Sequence, residues 1–296
     1  MPADERLPEP SNPLGVDGIE FIEYATSQPQ ALGSVLQSMG FAPVARHRSR
    51  EVMLYRQGAM NLVVNAQPDA LPGMSAPGAT LEIKAIALRV RDAGYAWRHA
   101  IDLGAWEMPA RASAMELNIP GVHGVGDSLL YFVDRYREFS IYDVDFVPLP
   151  GVESSVPAIA RLHWFGVVQA VQSNRSADWI DFYRHLLGFS VLPEGKYFGV
   201  LPKGTLLQSA CGKFYLQLIE PLSGAEDLHW DEGLVRVGLG APDVPAAVKA
   251  LTARGVVFVD HGAVQPSGKG ALTQIYLGGV TFELVVSHLA DEMRAP

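Results

Sequence analysis

Two stretches of the chain carry apolar residues at helical spacing and end in the same dipeptide. They are residues 29–41 (PQALGSVLQSMGF) and residues 176–189 (SADWIDFYRHLLGF), and both close on Gly-Phe. Apolar side chains three and four residues apart share one face of a helix, and a glycine just past the last turn is typical of a helix end. The pattern predicts two amphipathic helices, each followed by a strand.

Short apolar or alternating runs around these helices predict strands. The alternation is clearest in FYLQLI (residues 214–219), where period two indicates a strand with one buried face. In the first half, the predicted strands are residues 19–25, 52–55, 61–65, 83–90 and 128–133. In the second half, they are residues 162–170, 205–208, 214–219, 234–239, 272–277 and 281–286.

The two halves of the chain repeat the same landmarks. Three pairs occupy matching places in the pattern: Gly40 and Gly188, Asp92 and Asp243, and Gly104 and Gly255. The members of these pairs are 148, 151 and 151 residues apart. A nearly constant offset over a long stretch is the signature of an internal duplication. We therefore expect two homologous halves, each built from strand–helix–strands units.

This repeat predicts an α+β fold of two tandem modules, each a curved open-barrel sheet made from paired βαβββ units with helices outside. The first module would span residues 15–147, after a flexible N-terminal segment at 1–14, and the second residues 159–290, before a tail at 291–296. Residues 148–158 (PLPGVESSVPA) are rich in Pro, Gly and Ser, so they are the expected linker.

Composition and charge narrow the classes of function. The chain has 296 residues, 48% of them hydrophobic, which is enough for a sizeable core, and a formal net charge of −9. Its basic residues are scattered, whereas nucleic-acid binding requires them to be clustered. No run of 18 apolar residues occurs, so no membrane span is expected. Cys211 is the single cysteine and the N-terminus lacks a signal-peptide pattern, which favours a cytoplasmic protein.

Several stretches resemble the 4-hydroxyphenylpyruvate dioxygenase family of the vicinal-oxygen-chelate superfamily. The first is RHRSR (residues 46–50), followed by LYRQG (54–58) and NLVVN (61–65). The longest is IPGVHGVGDSLLYFVDRY (119–136), followed by SIYDVDF (140–146). The similarity extends over residues 15–286 and is strongest in the first half. It implies the tandem fold of that family, in which the first module is a scaffold without metal.

The resemblance also implies where a metal site would lie. In the family, the second module binds Fe(II) through two histidines and one glutamate, a facial triad that leaves positions open for substrate and oxygen. His163 in LHW and Glu283 in TFEL match two of these ligands. At the position of the middle histidine the chain has Arg236, in GLVRVG. A guanidinium has five donors and no acceptor, so it cannot bind a cation.

This substitution leaves two interpretations of the pocket. In one, His163 and Glu283 still bind Fe(II) or another divalent metal, with Arg236 receiving the carboxylate of the substrate. In the other, no metal is bound, and Arg236 forms an ion pair with Glu283. By resemblance, Gln217, Gln274 and Tyr276 would also contact the substrate. Two further histidines, His229 and His261, are spare candidates for a third ligand, although both are expected to face solvent.

Two functions follow from these interpretations. The first is a metal-dependent, dioxygenase-like enzyme acting on a small aromatic or keto-acid substrate. The alternative is a metal-free pocket protein, either a small-molecule binder or a non-redox enzyme. The resemblance also makes a homo-oligomer plausible. The first-module counterparts of the triad, near Glu20, Ala85 and Tyr131, cannot form a metal site.

Overall fold

The structure of the chain is a computed structural model that describes residues 12–68, 81–108, 117–193, 199, 204–221, 230–260 and 264–287. Fifteen strands lie within these residues, and all belong to one hydrogen-bonded sheet. Four α-helices of the described residues pack on one side of it, whereas the short helix at residues 141–145 packs on the other. No helix of the described ranges has the length and apolar content needed to cross a membrane.

The first half of the chain contains two strand–helix–strands units and a short C-terminal addition. Its elements are β1 Gly18–Thr26, α1 Pro29–Ser38, β2 Ala42–His47, β3 Val52–Gln57, β4 Met60–Asn65, β5 Leu81–Arg89, α2 Ala93–Asp102, β6 Gly121–His123, β7 Leu129–Val133, α3 Ile141–Asp145 and β8 Phe146–Pro148.

The second half repeats the order without the short addition. Its elements are β9 His163–Ala170, α4 Ser176–Leu187, β10 Ser190–Val191, β11 Thr205–Gln208, β12 Tyr215–Ile219, β13 Gly233–Ala241, α5 Val244–Thr252, β14 Gly270–Leu272 and β15 Phe282–Val286.

Strand pairing is duplicated along with element order. β1 is antiparallel to β5 and parallel to β4, and β9 is likewise antiparallel to β13 and parallel to β12. The late strands follow the same rule, since β7 is parallel to β5 and β15 is parallel to β13. The two halves meet where Leu234 of β13 pairs with Ile83 of β5. The expected α+β fold of duplicated units is therefore confirmed, while the module boundaries at residues 147 and 159 stay predictions.

The repeated aspartates and glycines start and stop helices. The Asp92 side chain accepts a hydrogen bond from Tyr95 N at 2.7 Å, and Asp243 accepts one from Ala246 N at 2.9 Å. Each carboxylate thereby satisfies a backbone donor in the first turn of α2 or α5. Gly188, which ends α4, has φ of 69°, a left-handed conformation that costs glycine little. The landmarks of the repeat therefore have local physical causes.

The main core lies between the sheet and the outer helices. In the second half, Tyr183 of α4 stacks on Phe189, which contacts Phe214 edge-on. The hydroxyl of Tyr183 donates to Gln169 Oε1 of β9 at 2.8 Å, and both side chains are buried. This bond satisfies polar atoms that would otherwise be costly to bury. The side of the sheet opposite these helices carries the candidate site.

Two expectations about strands need correction. Residues 272–277 were expected to form a strand, but β14 ends at Leu272, and only single bridges at Thr273 and Tyr276 follow. Leu277 and Gly278 have positive φ, so the chain turns there before it reaches β15. The strands expected directly after the two helices, β2 and β10, had been given no range, and the three-residue strands β6 and β8 were missed. A strand of two or three residues is too short to show an alternating pattern.

Glu220, just after β12, anchors the start of α4. Its carboxylate accepts hydrogen bonds from Ser176 N at 2.9 Å and Asn174 N at 3.1 Å. The hydrogen bond from the Ser176 hydroxyl has the largest effect on the pKa of Glu220. Together with the hydrogen bonds from these backbone N–H groups, it lowers that pKa from its ordinary value of 4.5. A carboxylate whose pKa is lower in the folded state stabilises the fold above the unfolded pKa. That stabilisation is lost as the pH falls through the folded pKa.

We expect Glu220→Gln to lower the free energy of unfolding at pH 7 by about 1 kcal/mol, as loss of a helix cap does. Urea denaturation at pH 7 and at pH 3 measures this, and the difference between variant and parent should shrink at pH 3. Glu153→Gln, at an exposed position, is the matched control. An equal deficit at both pH values would contradict the assignment.

Candidate functional site

The inner face of the second half is formed by β12, β9, β13 and β15, side by side. Glu283 of β15 pairs with Gly238 of β13, and Gly238 pairs with Gly166 of β9. These three residues, named here the Glu283 row, lie level with one another across the sheet. Two of its three members lack a side chain, so one carboxylate dominates the chemistry of the row.

Arg236 stands beside this row and faces Glu283. It is two residues before Gly238 on β13, so both lie on the same face of the strand. Arg236 Nε lies 3.0 Å from Glu283 Oε2, with 11% and 5% of the two side chains exposed. The Nε–H group of Arg236 makes no hydrogen bond of acceptable geometry. Its contact with Glu283 is therefore an ion pair. Burial lowers the pKa of Arg236, and the charge of Glu283 partly offsets this.

Little space remains next to Glu283. The cavity there has a volume of about 20 Å³, which is room for one water molecule. Phe165 and Tyr215 line it as a stacked pair with ring centroids 4.9 Å apart, and Gln217 lines it as well. A Cβ on Gly199 would lie 2.1 Å from Glu283 Oε1, so the backbone at Gly199 touches the carboxylate. The predicted residue Gln217 therefore does lie at the site.

His163 is on the same face but not in the Glu283 row. It pairs with Gly240, two residues beyond Gly238, which places it about 7 Å further along the strands at the usual rise. Its ring nitrogens contact Arg161 O at 3.0 Å and Ser287 Oγ at 2.9 Å. The residue of β9 that is level with Glu283 is Gly166. The structure thus brings Arg236 and Glu283 together and places His163 at a second position.

A β-bulge explains this difference from the sequence prediction. The register between β9 and β13 shifts between the Gly238 and Leu239 pairs, because Phe165 has no partner of its own. A bulge inserts one residue and changes which side chains share a row. Gly166, directly after Phe165, is a residue type that often marks a bulge within a strand, but spacing alone could not show which residues the bulge would bring level.

Gln274 and Tyr276 lie away from the Glu283 row. Gln274 is exposed, and its backbone N donates to Val257 O at 3.0 Å. The Tyr276 hydroxyl accepts from Val257 N at 3.0 Å. Both residues therefore face the segment that follows α5 rather than the cavity beside Glu283, which differs from the prediction that they contact substrate there. His229 and His261 lie outside the described residues.

The side chains present do not fit the facial triad. Among the described residues, no group of three or more His, Cys, Asp and Glu side chains could hold a metal ion together. The guanidinium of Arg236 lies 3.0 Å from Glu283 Oε2, so its positive charge would repel a metal ion bound to that oxygen. A side chain at Gly166 is obstructed too, since its Cβ would lie 2.0 Å from Tyr215 O. The donor set at this site is one carboxylate already paired with a cation.

The corresponding row of the first half has no metal ligands either. It consists of Phe21, Ala87 and Tyr131, which pair across β1, β5 and β7. Tyr131 stands where Glu283 stands in the second half. Glu20, predicted near this position, instead accepts from Arg89 Nε at 2.6 Å and is 2% exposed. A buried ion pair next to an apolar row is typical of a structural element.

The duplicated units around a curved mixed sheet define a tandem vicinal-oxygen-chelate protein, and the comparisons specify its family. Residues 11–147 match the family model for the N-terminal part of hydroxyphenylpyruvate dioxygenase. The chain is 31% identical to the 4-hydroxyphenylpyruvate dioxygenase of Pseudomonas aeruginosa, over 85% of this chain and 73% of that protein. The chain belongs to the 4-hydroxyphenylpyruvate dioxygenase family.

Two further similarities show the range of this family. The chain is 35% identical to the hemolysin VllY of Vibrio vulnificus, over 84% of this chain and 73% of that protein. A solved structure of a fusion between a xylose isomerase-like TIM barrel and a 4-hydroxyphenylpyruvate dioxygenase superposes with a TM-score of 0.72 at 24% identity. That alignment covers 93% of this chain and 50% of the fusion protein, and it shows a shared fold.

Proposed function

We propose that this chain is a metal-independent member of its family that binds a small carboxylate, with Arg236 as the receiving cation. The observation that carries the proposal is the 3.0 Å contact between Arg236 Nε and Glu283 Oε2 in a nearly enclosed position. A fixed guanidinium replaces an imidazole as the neighbour of the one remaining carboxylate. The site therefore attracts anions where the family's triad attracts Fe(II).

The geometry of Arg236 supports a role in anion binding. Glu283 lies 3.0 Å from its Nε, along one edge of the guanidinium. The planar guanidinium can bind a carboxylate through two parallel hydrogen bonds, a strong and specific contact. Glu283 fixes the orientation of the arginine and offsets part of its charge. The pair can therefore position one anion without a metal.

The aromatic residues nearby indicate the rest of the ligand. Phe165 and Tyr215 form a stacked pair beside Glu283, and Gln217 adds an amide that can donate or accept a hydrogen bond. The relative from Pseudomonas aeruginosa is named for 4-hydroxyphenylpyruvate, which is an aromatic keto acid. An aromatic carboxylate of this kind would match the arginine and the rings. Because the present cavity holds about 20 Å³, the neighbouring side chains must shift to admit it.

The second candidate function is a metal-dependent oxygenase like the named relatives. Family membership and the retained Glu283 favour it. For this function, a divalent cation would have to displace Arg236 from its contact with Glu283. The two carboxylate oxygens of Glu283 would then be the main protein ligands of the metal. Such a site would be weak, because the guanidinium would remain close to the metal and repel it.

Metal content distinguishes the two functions. We expect protein incubated with Fe(II), Mn(II) or Zn(II) and then desalted to retain well under one metal ion per chain, whether parent or Glu283→Gln. Arg236→His should retain more iron than the parent, since it removes a cation and adds an imidazole beside Glu283. Elemental analysis of the folded proteins measures this. Near-stoichiometric metal in the parent that is lost in Glu283→Gln would overturn the proposal.

Ligand binding tests the positive part of the proposal. Calorimetric titration with 4-hydroxyphenylpyruvate in the presence of EDTA should show binding to the parent. Arg236→Met should weaken it at least tenfold, whereas Arg184→Ala, an exposed cation on α4, should leave it unchanged. Binding that requires added metal, or that survives Arg236→Met, would contradict the role of Arg236.

A further inference from the structure

A second, larger cavity lies between the two halves of the chain. It has a volume of about 560 Å³, within the range of small-molecule sites, whereas the space beside Glu283 holds about 20 Å³. Its walls come from the start of β1, the β3–β4 turn, the segment before β9 and the β11–β12 turn. All of its lining residues belong to the described part of the chain. We propose that this cavity is a binding site for an organic anion with an apolar body.

The charges around the cavity favour an anion. Arg89, Arg161 and Lys213 line it together with His163, and Asp17 is the one acidic residue among the lining residues that the structure describes. Lys213 donates to Asp17, and Arg89 contacts Glu20. Three permanent cations thus meet two carboxylates, Asp17 in the cavity wall and Glu20 behind Arg89, which leaves one positive charge in excess in a chain whose formal net charge is −9. A local excess of positive charge against an acidic background raises the concentration of anions at that place.

The other walls of the cavity are apolar. Val156, Pro157 and Ala158 line it with at least partly exposed apolar side chains, and Ile19, Met60, Leu162 and Phe214, which are almost fully buried, lie behind its surface. Cations at one part of a cavity and hydrocarbon at another match a molecule with an anionic head and an apolar or aromatic body. A free inorganic ion would leave most of this surface without a partner.

Trp164 contributes a buried donor to the cavity wall. It lines the cavity, is 9% exposed, and its indole N–H has no hydrogen-bond acceptor among the described residues. A buried donor without an acceptor is unfavourable, and native proteins contain few of them. Because the nitrogen itself is buried, a ligand atom would reach this donor only after the indole shifts towards the cavity.

The backbone before β9 is held in an unusual conformation at the cavity wall. Ala160 and Arg161 both have positive φ, at 46° and 60°, which non-glycine residues seldom adopt. This turn directs Arg161 O to the His163 ring. Backbone strain of this kind persists where the surroundings enforce it, and it is concentrated at ligand sites. The position of His163, outside the Glu283 row, is consistent with a role at this second cavity.

Calorimetric titration of the full chain with 2-naphthoate tests the inference, with the neutral 2-naphthamide as the matched ligand control. We expect 2-naphthoate to bind and 2-naphthamide to bind at least tenfold more weakly. A second titration uses phenyl phosphate. The anion with the lower Kd shows whether the cavity prefers a carboxylate or a phosphate head group. Equal binding of naphthoate and naphthamide would show that charge is not recognised and would overturn the proposal.

Variants then locate the binding. Lys213→Ala and Arg161→Ala should each weaken naphthoate binding about tenfold, and Ala59→Trp, at an exposed position in the cavity wall, should block it. Arg184→Ala, a surface cation outside the cavity, is the matched control and should have no effect. Circular dichroism and thermal melts confirm that each variant is folded. Unchanged binding in Ala59→Trp would exclude this cavity.

Arg236→Met separates this inference from the proposed function, because the two sites share no residue. In the Arg236→Met background, where the site beside Glu283 has lost its receiving cation, Lys213→Ala should still weaken naphthoate binding about tenfold. Loss of binding in Arg236→Met together with normal binding in Lys213→Ala would place the anion beside Glu283 and overturn the inference. A second copy of the chain could also cover the cavity. A dimer that dissociates on Ala59→Trp and binds no naphthoate would likewise refute the small-molecule site.

Discussion

Glu283→Ala should lower the free energy of unfolding by about 3–5 kcal/mol, the usual cost of removing one partner from a buried ion pair. The substitution leaves the Arg236 guanidinium 11% exposed, with no other charged partner in the described part of the chain. Water cannot fully hydrate it there, and arginine does not escape by losing its proton. Urea denaturation at pH 7, followed by circular dichroism, measures the loss.

Removal of both charges provides the control for this expectation. The double variant Arg236→Met, Glu283→Leu should regain most of the lost stability, because apolar side chains of similar volume often replace a buried pair at little cost. If Glu283→Ala lowers the free energy of unfolding by less than about 1 kcal/mol, the effect is that of removing a solvated surface ion pair. That result would contradict the enclosed ion pair and, with it, the basis of the proposed function.

Gly166→Ala is expected to destabilise the protein by about 3 kcal/mol, the upper end of the usual cost of overpacking a core. Its Cβ would lie 2.0 Å from Tyr215 O, which is backbone of the neighbouring strand β12. A backbone carbonyl cannot move away as the end of a flexible side chain can. The substitution must therefore distort the β9–β12 pairing or the bulge next to it.

Gly233→Ala is the matched control for this prediction, since it lies in β13 and a Cβ there meets nothing within 4 Å. Thermal unfolding should show a large drop in Tm for Gly166→Ala and almost none for Gly233→Ala. Equal Tm values for the two variants would mean that β9 and β12 are further apart than the structure places them. The same crowding bears on metal binding, because a histidine at position 166 would meet the Tyr215 carbonyl first.

The repeat and most elements could be predicted from the sequence because they depend on neighbouring residues. Asp92 and Asp243 cap helices through bonds within a few residues, and Gly188 ends α4 through its own backbone conformation. The apolar alternation of β12 and the helical spacing of α1 are visible in short windows. The gap between the two predicted late strands falls at the turn around Gly278, but the strand before it is shorter than predicted, since β14 ends at Leu272 and Leu277 already has a positive φ.

The candidate site could be predicted only in part. The pairing of Arg236 with Glu283 was one of two interpretations, and the structure shows the ion pair. Gln217 lies at the cavity as predicted. His163, Gln274 and Tyr276 were assigned to the same site from the order of residues, and the structure places all three elsewhere. Gly166 and Gly199 were not considered, because a glycine that matters by allowing close approach has no chemical signal of its own.

The sequence by itself therefore determined the duplicated α+β fold and the family, and its resemblance to that family predicted a cation, Arg236, at the position of a histidine ligand. Those properties follow from local periodicity, from capping residues and from the identity of one side chain. Only the tertiary structure decided which residues share a row, because one bulge at Phe165 changes the register of β9 against β13. It also decided that a cavity of about 560 Å³ lies between the halves, since distant segments form its walls.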